Sequence, residues 1–110
     1  MQSKFYTIEE IAEMLKVHRT YVASLIAKKK LAALKIGRFY RIKQESLEKL
    51  IHGKLDGAIL TIEDAAEILK VHRTYIVKLI RNKKIKAVKI GKFYRIREKD
   101  FEDFIKKSEV

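Results

Sequence analysis

The chain contains no cysteine, which excludes disulfides, thiolate-ligated zinc and a cysteine nucleophile, and is compatible with a reducing compartment. Proline and tryptophan are absent as well, and glycine is sparse. No apolar run approaches the roughly 18 residues of a membrane span. The opening MQSKFYT lacks the apolar core of a signal peptide, so a cytoplasmic protein is expected. Acids are scarce too, with 14 Asp+Glu against 26 Lys+Arg and a formal net charge of +12, an imbalance that favours an acidic partner and makes nucleic acid the first candidate.

The acids are also unevenly placed. None falls between Val17 and Lys43 or between Val71 and Arg97. Those stretches carry most of the bases: Arg19, Lys28, Lys29, Lys30, Lys35, Arg38, Arg41 and Lys43, then Arg73, Lys78, Arg81, Lys83, Lys84, Lys86, Lys89, Lys92, Arg95 and Arg97. A solvated surface normally mixes signs, as the chain does elsewhere at Glu9, Glu10, Glu13 and Lys16.

The two stretches belong to an internal repeat. TIEEIAEMLKVHRTYVASLIAKKKLAALKIGRFYRI from Thr7 returns without a gap from Thr61 as TIEDAAEILKVHRTYIVKLIRNKKIKAVKIGKFYRI. A tandem duplication implies two equivalent surfaces on one polypeptide. The expected division is a first module over 1–51, a linker over 52–58 marked by Gly53 and Gly57, and a second module over 59–110. Leu55 argues against a fully flexible tether, because an apolar residue there can dock on either module.

Within each repeat the pattern predicts the same elements. Thr7 with Glu10 forms a capping box, and Ile8, Ile11, Ala12 and Leu15 recur at helical spacing over Ile8 to Lys16. Thr61 with Asp64, then Ile62, Ala65, Ala66 and Leu69, repeat the arrangement. A turn follows in which Val17 or Val71 is an apolar plug and His18 or His72 caps the next helix. That helix spans Arg19 to Lys28, with Val22, Leu25 and Ile26 inward, or Ile76, Leu79 and Ile80. Its outer face carries Arg19, Thr20, Ala23, Ser24 and Ala27, or Arg73, Thr74, Val77, Lys78 and Arg81. The period then changes to two. Leu34, Ile36, Tyr40 and Ile42 alternate with Lys35, Phe39 and Arg41 about Gly37-Arg38, predicting a hairpin whose tight turn has glycine first. A third helix closes the unit through Leu47, Leu50 and Ile51, or Phe101, Phe104 and Ile105.

Helix, short turn, helix, basic hairpin and short helix is the order of a winged helix-turn-helix, so the expected fold is mainly α with small β-hairpin wings, present twice. At these residues the chain resembles the excisionase-type and MerR-like DNA-binding domains. Those read as Thr-x-x-Glu-x-Ala-x-x-Leu, a turn ending in a cap residue, Arg-x-x-Val-x-x-Leu-Ile, then Val-Lys-Ile-Gly and a basic strand. The resemblance covers nearly all of both repeats. The family usually has Ser or Thr where His18 and His72 stand, and often proline where Lys43 and Arg97 stand. No long dimerisation helix or effector domain follows the second module, so no small-molecule effector is expected.

The resemblance implies double-stranded DNA as partner, read by helix two in the major groove and by the wings at the minor groove and backbone. Arg19 and Arg73 open helix two and suit either a bidentate guanine contact or a phosphate clamp. His18, His72, Thr20, Thr74, Tyr21 and Tyr75 lie beside them, and Ser24, Lys28, Lys78 and Arg81 extend the face. Lys35, Arg38, Tyr40 and Arg41, with Lys89, Lys92, Tyr94 and Arg95, form the wings, with Lys35 and Arg41 placed together on a polar face. A monomer is expected, acting as an excisionase-like architectural factor or a transcriptional regulator, nucleoid-associated, with a recombinase or neighbouring copies on DNA as further partners. Nothing resembles a nucleophile with its base, a phosphate loop or a metal site, so no enzyme, cofactor or metal is expected. A basic module that grips an acidic partner or polyanions without sequence preference is the alternative. Membrane-surface binding would need a segregated apolar helix face, and a single-stranded RNA reader exposed sheet aromatics, for which only Phe39 and Phe93 qualify.

Overall fold

A computed structural model describes residues 4–110 and divides the chain into two compact units whose boundary falls between Leu55 and Asp56. In the first unit the order is β1 (Phe5–Tyr6), α1 (Ile8–Leu15), α2 (Arg19–Ala27), β2 (Leu34–Ile36), β3 (Phe39–Lys43) and α3 (Gln44–Leu50). The second repeats it as β4 (Ile59–Leu60), α4 (Ile62–Leu69), α5 (Arg73–Arg81), β5 (Val88–Ile90), β6 (Phe93–Arg97) and α6 (Glu98–Lys107). Each unit is a winged helix-turn-helix.

Local chemistry sets the helix pair. Thr7 Oγ1 accepts from the Glu10 N–H at 3.0 Å and the Glu10 carboxylate accepts from the Thr7 N–H at 2.9 Å, so two otherwise orphaned donors at the start of α1 are satisfied. Thr61 and Asp64 do the same for α4 at 2.9 Å each. α1 stops where Lys16 turns left-handed at φ 58°, its N–H reaching the Glu13 carbonyl and the Val17 N–H the Ala12 carbonyl. Lys70 ends α4 identically. The expected apolar plug is half-buried at Val17, but Val71 is exposed.

Ile11, Leu15, Val22, Leu25, Ile42 and Leu47 are buried in the first unit. Leu60, Ile62, Ala65, Ala66, Ile76, Ile85, Ile96 and Phe101 form one cluster in the second. Each fully buried Leu or Ile contributes about 1.5 to 3 kcal/mol of transfer free energy. Of the expected inward faces, Val22, Leu25 and Ile76 are buried, while Ile26, Leu79 and Ile80 are half-buried. Leu31 and Ile85 join the buried set from within the basic turn, because the chain folds back so that the Leu31 N–H bonds to the Leu25 carbonyl and the Ile85 N–H to the Leu79 carbonyl.

Each sheet has three strands, ordered β1-β3-β2 and β4-β6-β5. The hairpin turn matches expectation: φ is 63° at Gly37 and not positive at Arg38, the pattern of a type II′ turn. A Cβ at Gly37 would meet nothing within 4 Å, so the backbone angle rather than space calls for glycine. The expected faces need correction. Leu34 pairs with Arg41, Lys35 with Tyr40 and Ile36 with Phe39. Paired residues share a face, so a two-residue turn exchanges odd and even positions between the strands. Leu34, Ile36, Phe39 and Arg41 therefore occupy one face, and Lys35, Tyr40 and Ile42 the other. Lys35 and Arg41 are on opposite faces, and Leu34 and Ile36 are exposed rather than inward.

The segment expected as a linker is tied down at both ends. The Glu48 carboxylate accepts from the Leu55 N–H at 2.9 Å, and the Glu98 carboxylate accepts from the Ala58 N–H at 2.9 Å. Gly57, at φ 108°, lies where a Cβ would come within 2.5 Å of the Glu98 carboxylate. The backbone angle calls for glycine, and a Cβ would push the Glu98 carboxylate off its hydrogen bond to the Ala58 N–H.

Candidate nucleic-acid interface

Helix two starts on an imidazole. His18 Nδ1 accepts from the Thr20 N–H at 3.2 Å and lies 2.8 Å from the Thr20 hydroxyl; at His72 and Thr74 the distances are 3.2 and 2.9 Å. Accepting a backbone N–H leaves the ring proton on Nε2. The hydroxyls of Thr20 and Thr74 lie against the cap, and each hydroxyl oxygen keeps acceptor capacity beside its methyl group. Neither α2 nor α5 has an acid in its first turn, so the partial positive charge of each helix start is not offset from within the helix.

Arg19 and Arg73 project from that first turn and are about half exposed. Each meets a carboxylate from helix one. Glu9 Oε2 lies 2.9 Å from Arg19 Nε and 2.8 Å from Nη2, and Glu63 Oε2 lies 2.8 Å from Arg73 Nε. The Glu9 carboxyl is held below the usual carboxylate range by its own backbone N–H first and by Arg19 next, with Arg41 adding to it. At Glu63 the Arg73 hydrogen bond is the largest cause, followed by its own backbone, with Arg95 contributing. Sequence spacing gave no hint of these pairs, which lie ten residues apart across a turn.

Along the outer face, Ser24 and Tyr21 are half-buried, while Lys28, Lys78, Arg81 and Tyr75 are exposed. In the second unit, Arg73, Thr74, Val77, Lys78, Arg81 and Asn82 line a cleft of about 380 Å³ along α5. A second cleft, of about 440 Å³, separates α5 from the wing. Glu63, Arg73, Val77, Lys92, Phe93 and Arg95 are among its walls. Helix two and wing thus frame one concave basic surface, with Arg73 bordering both clefts.

The wings are organised around their aromatics. Arg38 and Arg41 stack on Phe39 at 5.3 and 5.5 Å, and Lys92 and Arg95 on Phe93 at 5.6 and 5.3 Å. Lys35 lies 5.7 Å from the Tyr40 ring and Lys89 5.8 Å from that of Tyr94. Each contact contributes about 0.5 to 1 kcal/mol where exposed and limits how far the cation wanders. Arg41 and Arg95 are anchored further, each donating from Nη1 to the preceding carbonyl at 2.7 Å. Arg95 is buried, unlike the solvent-facing cation expected of it; its guanidinium lies on the Phe93 ring, bonds back to the strand and borders the cleft beside Arg73. Phe39 and Phe93, like Glu9 and Glu63, join the candidate site through contacts with its arginines and lysines, and the sequence pattern does not place them there.

Among the described residues, no group of three or more His, Cys, Asp or Glu side chains is gathered as a metal site, and no helix is long and apolar enough to cross a membrane. Residues 5–54 and 59–109 each match a family model described as a helix-turn-helix domain. No curated protein matches the chain.

Proposed function

The chain belongs to the helix-turn-helix family of excisionase type, with one domain in each repeat, and from that membership we propose that it is a sequence-specific double-stranded DNA-binding protein whose two modules read adjacent half-sites. Helix two of each module enters the major groove by its first turn, and the wing grips the neighbouring backbone or minor groove. The observation that carries this reading is the concave basic surface between helix two and the wing, where Arg73, Lys92 and Arg95 border one cleft. A convex duplex edge fits such a surface, and the exposed wing cations suit phosphates.

The two half-sites differ. Ser24, Ala23 and Ala27 on the first face correspond to Lys78, Val77 and Arg81 on the second, so equivalent base positions meet different chemistry. The protein acts as an architectural factor in recombination or as a transcriptional regulator, roles that use the same contacts, with a recombinase or further copies along DNA as partners. Footprinting on duplexes selected from a random pool at physiological salt tests the reading. A protected site of defined sequence spanning two half-sites is expected, whereas uniform weak protection of every duplex rules out sequence-specific function.

A further inference from the structure

The acids of this chain avoid the basic stretches in sequence, yet in both copies one acid returns to the interface in space. Glu9 and Glu63, in the first turn of helix one, contact the arginine that opens helix two. Stability does not explain the placement, because all four side chains are more than half exposed and solvent-exposed ion pairs contribute little. On a surface proposed to attract phosphates, a carboxylate costs affinity. Its repetition in both modules calls for a role that outweighs that cost.

The geometry supplies one. A guanidinium presents a planar fork of donors, and here the edge carrying Nε is occupied by a carboxylate oxygen. The side chain cannot then swing freely, and its remaining donors keep a set direction. The carboxylate also cancels the arginine's net charge, which weakens its attraction for a phosphate and repels a phosphate that approaches the pair. A neutral acceptor pair such as guanine O6 and N7 meets no such repulsion and matches the fork. We infer that Glu9 and Glu63 are positioning residues that set DNA specificity, holding Arg19 and Arg73 for base edges and turning them away from the backbone. The inference rests on the DNA reading proposed above, and it assigns the two arginines to base contact rather than to a phosphate clamp.

The test compares the full-length chain with Glu9→Gln, Glu63→Gln and the double variant. Affinity is measured on the best selected duplex and on a random-sequence duplex of equal length, over a range of salt. In the double variant, random-duplex affinity should rise about tenfold. Selected-duplex affinity should change less, and the random-duplex salt slope should steepen by about 1 to 2 as two arginines become free for phosphates. Glu63→Asp, which keeps the charge on a shorter stem, should retain part of the discrimination, and a thermal melt of each variant separates loss of fold from loss of selectivity. A wild-type chain that discriminates while the double variant keeps the same ratio of selected to random affinity overturns this assignment alone. A wild-type chain that prefers no sequence overturns the DNA reading and this assignment with it.

Discussion

Leu34 stands directly opposite Arg41 across the first wing, so the two side chains emerge from the same face while Lys35, next along the strand, emerges from the other with its partner Tyr40. The wing therefore divides its cations between its faces. The Arg41 face is the one whose charge reaches Glu9 beside helix two. In the second copy, Arg95 borders the cleft shared with Arg73.

Binding should depend strongly on salt. If about six to ten phosphates are neutralised, log K against log salt should slope at roughly −5 to −9. The division of the wing adds a sharper expectation: Arg41→Ala should make that slope shallower by about 1, and Lys35→Ala should change it less. Equal reductions of the slope in the two variants would mean that both faces contact the backbone, and no reduction in either would mean that neither does.

How much of this was legible in the sequence follows from the range of each interaction. The caps at Thr7 and Thr61 and the turn at Gly37 depend on residues within a few positions of one another, and the structure has them as expected. Alternation along the sequence puts Lys35 and Arg41 on one wing face, whereas the two-residue turn exchanges parity and puts them on opposite faces. β1 and β4 have two residues each, too short for any period to show. Leu31 lies in a run of lysines and becomes core only because the chain doubles back onto Leu25. The pairs Glu9–Arg19 and Glu63–Arg73 exist only once two helices have packed.

Arg19 and Arg73 should matter more than any wing lysine. Arg19→Ala and Arg73→Ala are each expected to cost about 1 to 3 kcal/mol on a selected site and to relax preference at one position per half-site. Competition titrations against single-base variants of the site measure this. Equal losses on selected and random DNA would reassign both arginines to phosphate clamping.

The Glu63–Arg73 pair gives stability a pH dependence of known sign. The folded carboxyl lies below its ordinary value of 4.5, mainly through the Arg73 hydrogen bond. The contribution is therefore fully present above the unfolded value and is lost as pH falls through the folded one. Exposure of both side chains keeps it under about 1 kcal/mol. Glu63→Gln should melt below wild type at pH 7, and the two melting curves should converge once the pH is well under 4.5. A gap that persists unchanged at pH 3 would show that packing, not ionisation, separates them.

The imidazole caps should be replaceable. His72→Ala is expected to destabilise the chain by about 1 kcal/mol, because the Thr74 N–H loses its acceptor. His72→Ser, which restores a short side-chain acceptor, should recover most of that loss in chemical denaturation. An alanine variant as stable as wild type would show that the imidazole contributes nothing as a cap.

The last expectation concerns spacing on DNA. The Leu55 N–H is held by Glu48 and the Ala58 N–H by Glu98, so only Asp56 and Gly57 lie between anchored residues. Three peptide steps reach on the order of 11 Å, against roughly 23 Å for a fully free seven-residue linker. Modules joined so closely can share one face of a duplex only if their half-sites are about one helical turn apart, near 10 base pairs centre to centre. Covalent duplication imposes no two-fold axis, so direct repeats bound by a monomeric chain are expected. Inserting five base pairs between the half-sites turns one of them to the opposite face. The gain from effective concentration should then vanish, leaving affinity near that of the stronger half-site alone. A chain that binds the lengthened site as tightly as the original does not hold its modules to one face of DNA.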